Sequence, residues 1–173
     1  MSPAWKEILW RQFGAAIETL QNALNACSDE LWHARLYHES TSPPEFGRFW
    51  YIVYHTIFWL DYYCSDSAEG FAPPAPFTTS EMEMDAAPPE RAYTKQELQV
   101  YLDHARNKCR AKIESLADEN EPQRIRENWR VKTVAELMLY TMRHTQEHAA
   151  ELNLLLGQKT GSAPGWVGQV TLG

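Results

Sequence analysis

The stretch TVAELMLYTMRHTQEHAAELNLLLG, residues 133–157, decides the fold. Val134, Leu137, Thr141 and Leu155 recur at the spacings that put side chains on one face of an α-helix. Thr133 with Glu136 three residues on is a capping box, and Gly157 is a favoured stop, so the pattern predicts a helix over 133–157. On the same stripe His144 and His148 stand where aliphatic residues are expected. Residues four apart on a helix have neighbouring Cβ atoms, so both imidazoles can address one point.

Working outward, three more helices declare themselves. The first begins at Pro3, a residue suited to an opening turn, and carries Trp5, Ile8, Leu9, Phe13, Ile17, Leu20 and Leu24 on one face. The second is read from Ser42-Pro43-Pro44-Glu45, a capping box with proline at the first helical position. Its run FWYIVYHTIFWLDYY, residues 49–63, is too apolar for a surface helix and should be mostly buried. The third starts at Thr94 with Glu97 and runs to about Leu116 through Leu98, Tyr101, Leu102 and Ile113. Few alternating patterns compete, so the fold class is all-α, a four-helix bundle.

The connections suggest its topology. Residues 65–93 hold Pro73, Pro74, Pro76, Pro88 and Pro89 with little periodicity. So long a connection reads as a crossover or the wall of a site. It lets helices two and three run parallel, giving up-down-down-up order, with helices one and two as antiparallel neighbours. There is no internal repeat, and residues 1–173 are expected to form one domain. The tail with Pro164, Gly165 and Trp166 is expected to fold back on the bundle through the tryptophan.

Composition excludes several classes. The chain has 173 residues, 44% apolar, enough to bury roughly two-thirds of its unfolded surface. No apolar run reaches the ~18 residues of a membrane span. The opening MSPAWKEILWRQF is charged and amphipathic, unlike a secretory signal. The formal net charge of −7, with no basic block, argues against nucleic acid as a partner. Cys27, Cys64 and Cys109 are odd in number and lack a C-x-x-C pair, so they read as reduced thiols of a cytoplasmic protein.

Helix two supplies a third inward histidine. Steps of three and four give Tyr51, His55, Phe58 and Tyr62. A bundle core receiving histidines from two helices can build a metal centre, and buried imidazoles without partners cost stability. His55, His144 and His148 are therefore the expected metal ligands. Glu151, three residues after His148, is placed to orient that ring, to act as a base or to pair with a surface lysine or arginine. His33 and His38 lie in the first connection and His104 on helix three, where roles other than ligation are favoured. The single Glu-x-x-His, Glu30 to His33, excludes a di-iron carboxylate centre, which needs two. Trp50, Tyr54, Trp59 and Tyr62 mark where a pocket mouth would meet the proline-rich crossover, unless they simply fill the core.

Residues 144–148 also spell H-x-x-E-H, the inverted zinc-peptidase motif, in which Glu147 would activate water. Glu147 is about 100° round the helix from His148, which makes a solvated glutamate the better reading. A non-catalytic module that binds a ligand or partner is the remaining alternative. Its mark would be histidines hydrogen-bonded to tyrosine hydroxyls.

Tyr54-His55 in helix two, HTQEHAAELNLLLGQ at 144–158 and Pro164-Gly165-Trp166 together resemble the DinB/YfiT-like superfamily. The resemblance runs from helix one through Trp166. It implies a four-helix bundle with a long second connection. It also implies a divalent metal, zinc or nickel, held by one histidine of helix two and an H-x-x-x-H of the last helix. Those positions are His55, His144 and His148. Many members are homodimers, and activities in the superfamily include transferases and isomerases that use low-molecular-weight thiols. The resemblance thus implies a metal-dependent hydrolase or thiol transferase acting on a small-molecule substrate.

Overall fold

The structure, a computed structural model, describes residues 2–36, 43–83, 87–118, 120–126 and 129–171. Four helices carry it: α1 (Pro3–Ala26), α2 (Phe49–Tyr63), α3 (Lys95–Ser115) and α4 (Val134–Thr160). Among the described residues there is no β-strand, only two isolated bridges.

Each helix start has a chemical cause. Ser2 caps α1 by accepting from the Trp5 N–H, with Pro3 in the first turn. Thr94 and Glu97 form the full capping box of α3, and a bidentate ion pair with Arg91 holds the Glu97 carboxyl down at about 2. Thr133 caps α4 through the Glu136 N–H, but the Glu136 carboxylate turns to the Lys132 N–H instead.

Two helix boundaries differ from the sequence reading. Pro44–Gly47 is a 3₁₀ turn, Arg48 is extended, and α2 begins only at Phe49. Its first N–H groups are satisfied from outside, Phe49 by the Ala34 carbonyl at 2.8 Å and Trp50 by that of Trp32 at 3.2 Å. Ser42, taken as the cap, lies outside the described residues. At the other end of the chain, α4 continues through Gly157 to Thr160. It stops at Gly161, whose φ of 75° is the left-handed conformation that favours glycine.

The topology is up-down-down-up. Lys6 at the start of α1 reaches the Glu114 carbonyl near the end of α3 (2.7 Å), so α1 and α3 are antiparallel. Trp50 adjoins Tyr93 and, at the other end, Asp66 pairs with Lys112, so α2 and α3 run parallel. Tyr63 meets Tyr140 while His55 meets His148, which makes α2 and α4 antiparallel. α1 and α2 each pack against α3 and α4 and so face each other across the diagonal, not side by side as expected. The late start of α2 leaves a connection long enough to cross the bundle end. Trp32 plugs that end, buried against Phe49 with its indole N–H on the Tyr93 carbonyl at 2.9 Å.

The core follows the apolar stripes, with corrections at the edges. Leu9, Phe13, Ile17, Leu20 and Leu24 of α1 are buried, while Trp5 and Ile8 at its start are exposed. Helix α2 is buried nearly all round, as its apolar run requires. Asp61, the one acid in that run, is wholly buried. It accepts from the Tyr101 hydroxyl (3.0 Å) and Lys108 (2.5 Å), with His104 Nε2 at 3.5 Å. The tail does return to the bundle, though not through Trp166, which is 77% exposed. Val170 donates to the Arg11 carbonyl and packs where α1 has Gly14; a Cβ on that glycine would lie 2.5 Å from the valine.

Candidate metal centre

Two helical faces, of α2 and α4, meet at the histidines. In α4 the fully buried line is Leu137, Thr141, Thr145, Ala149 and Leu152. His144 and His148 flank it, half-buried, on the side facing α2. Helix α2 shows only His55 and Trp59 partly exposed, on its one open face. The antiparallel packing of α2 and α4 brings the rings together, with centroids 5.3 Å apart for His55–His144, 5.2 Å for His55–His148 and 4.6 Å for His144–His148. One nitrogen from each histidine lies within 4.8 Å of the other two.

Their outer nitrogens are largely engaged. His148 Nδ1 is 2.7 Å from Glu151 Oε2, so Glu151 takes the orienting place that its spacing allowed. His55 Nδ1 is 2.9 Å from Glu81 Oε2. Glu81 comes from the 3₁₀ turn Thr79–Met82 in the crossover, and no sequence motif singled it out. The Tyr51 hydroxyl and the Trp59 N–H (3.1 Å) donate to the same carboxylate. Burial alone would raise its pKa, but the hydrogen bond and charge of His55, with the two other donors, outweigh that and lower it. The Tyr51 hydroxyl moves the opposite way, pushed far up by burial and then by the charge of Glu81.

His144 differs. Its Nε2 is 3.2 Å from Nε2 of His148, and its Nδ1 is buried without a hydrogen-bond partner. Burial, then the charges of His148 and His55, pulls its pKa down to about 3. The ring is neutral at pH 7, the form that offers a lone pair to a metal. Between pH 6.5 and 3 the unfolded chain binds this proton and the folded protein does not. Stability of metal-stripped protein should therefore fall as pH falls through that window, by up to about 1.4 kcal/mol per pH unit from this group, and be flat above it. Urea titrations at a series of pH values check this. His144→Leu should flatten the slope, and an unchanged slope would count against the assignment.

These donors fit a divalent ion. Neutral imidazoles suit zinc and its neighbours. Ligating histidines commonly give their other N–H to a carboxylate, and Nδ1 of His55 and of His148 each has a carboxylate oxygen within 3 Å.

The remaining sequence candidates lie elsewhere. His104 pairs with Asp61 on the α2–α3 side, and His33 is exposed. His38 is outside the described residues. Trp50, Tyr54 and Tyr62 are core residues, so of the four aromatics expected at a pocket mouth only Trp59 borders the site. Glu147 is exposed and lines a groove with Gln12, Ala16 and Trp166, away from the three rings. Among the described residues no tyrosine hydroxyl bonds to any of the three histidines, the mark expected of a metal-free core.

An all-helical bundle with a histidine cluster between α2 and α4 defines a class of proteins compatible with metal binding. The model of the DinB superfamily matches residues 12–152, and the chain belongs to that superfamily. No curated protein and no solved structure matches it. No helix among the described residues is long and apolar enough to cross a membrane.

Proposed function

We propose that the chain is a divalent-metal-dependent enzyme in which His55, His144 and His148 hold the ion, zinc or nickel, and that it transfers a low-molecular-weight thiol to a small electrophilic substrate. The observation carrying this reading is the approach of three imidazole nitrogens to within 4.8 Å of one another. The site also meets solvent, with the His55 and His148 side chains 28% and 17% exposed. A bound divalent ion can stabilise a thiolate, polarise a carbonyl or acidify water.

Thiol transfer is placed ahead of hydrolysis for a local reason. Glu81 and Glu151, the carboxylates beside the rings, are both bound to imidazole N–H groups, and Glu147 faces another groove. A thiol that ionises next to a cation needs no separate protein base. The same placement of Glu147 weighs against the peptidase reading. We place the protein in the cytoplasm as a single domain over residues 1–173, acting as a homodimer.

Protein purified without added metal should carry about one equivalent of zinc or nickel by elemental analysis. The metal-loaded protein should then consume a low-molecular-weight thiol in the presence of alkyl or epoxide electrophiles, and Glu147→Gln should change neither result. Failure to bind either zinc or nickel even when they are supplied would sink the proposal. Peptide cleavage abolished by Glu147→Gln with metal retained would put the peptidase in its place.

A further inference from the structure

Tyr51, His55 and Trp59 stand four residues apart on one line of α2, and all three direct a polar group at the single carboxylate of Glu81. That side chain is only 5% exposed. The crossover delivers it there by a fixed route. Phe77 is buried against Tyr93 and Tyr101, with ring centroids 4.6 and 4.3 Å away, and Thr78 caps the short turn that carries Glu81. An ionised carboxylate only accepts, so the His55 nitrogen facing it must bear the hydrogen. The tautomer of a neutral imidazole is set in this way by the bond its other nitrogen makes.

With three donors the carboxylate is engaged on both oxygens, which leaves it poorly placed to act as a base or a ligand. We propose that Glu81 is a positioning residue: it fixes His55 as the Nδ1–H tautomer, leaving the Nε2 lone pair for the metal, and it couples metal occupancy to docking of the 77–83 segment. The coupling follows because a cation on Nε2 makes Nδ1–H a stronger donor to Glu81. By linkage, whatever docks Glu81 more firmly also tightens the metal. The inference rests on the reading of the three histidines as metal ligands, but its tautomer component is observable without metal.

Three measurements on the full chain test it. In metal-stripped protein, long-range proton–nitrogen spectra should show His55 as Nδ1–H, and Glu81→Ala should give mixed tautomers. Zinc affinity, by competition with a chromophoric chelator, should fall about 10- to 100-fold in Glu81→Ala. Glu81→Gln, which keeps the shape and one acceptor oxygen, should fall between that variant and the parent, and it serves alone if the alanine variant does not fold. Zinc should slow hydrogen exchange of amides 77–83 in the parent protein and not in Glu81→Ala. An Nε2–H tautomer in the parent overturns the proposal, as does zinc affinity unaffected by both substitutions. If the parent binds no zinc the metal reading falls, and the tautomer spectra still decide what Glu81 does.

Discussion

Substituting any one of the three histidines with alanine is expected to lower divalent-metal affinity by more than the 10- to 100-fold typical of losing an outer-shell partner. Elemental analysis of each purified variant and chelator competition check it. The three should differ in what else they lose. His55→Ala takes one donor from Glu81, a nearly buried carboxylate, and should cost about 1–3 kcal/mol of stability in the metal-free protein. His148→Ala releases Glu151, which is 30% exposed and can turn to water, so its stability should change little. His144→Ala removes an unpartnered buried nitrogen and the associated acid lability. Retention of full metal by any of the three would remove that residue from the ligand set. Equal stability changes in all three would contradict the different roles given to their outer nitrogens.

The histidines were legible because spacing within a helix is a local property. His144 and His148 announce themselves through a four-residue step, and His55 through the apolar run that carries it. Their exact facing was less legible. A stripe wide enough to contain Thr141, His144 and His148 does not say which edge of it touches α2, and the structure puts Thr145 and Ala149 at its centre. Glu81 was invisible for a different reason. It sits in a proline-rich crossover with no period, and only tertiary anchoring of Phe77 brings it over α2. The only trace of it in the sequence is that Tyr51, His55 and Trp59 share one helical line, three polar groups with no carboxylate on that line. The start of α2 was misread because a local cap signal at Ser42–Glu45 competes with backbone carbonyls supplied by Trp32 and Ala34, which are distant in sequence.

Asp61, a lone acid within FWYIVYHTIFWLDYY, was not singled out by the sequence analysis, which treats that run only as apolar. It lies six residues beyond His55, about 9 Å along α2, so whatever holds it also fixes the register of that histidine's helix against α3. Lys108 supplies the close cation, with its side chain 30% exposed while Asp61 is wholly buried. Removing the lysine strands the charge on the partner that cannot reach water. Lys108→Met, which keeps most of the aliphatic volume, should therefore destabilise by about 3 kcal/mol, the low end for breaking a buried pair, because Tyr101 and His104 stay near the carboxylate. In a domain of this size that is a fall in Tm of about 6–12 °C. Asp61→Asn should cost less, since Lys108 can turn to solvent and the amide oxygen still accepts from Tyr101. The double variant should be more stable than Lys108→Met alone, the signature of a coupled pair. Thermal and urea unfolding of the three variants check this. Metal affinity should change far less than stability, because no ligand is touched. A Tm for Lys108→Met within about 2 °C of the parent would mean that Asp61 is satisfied by Tyr101 and His104 alone.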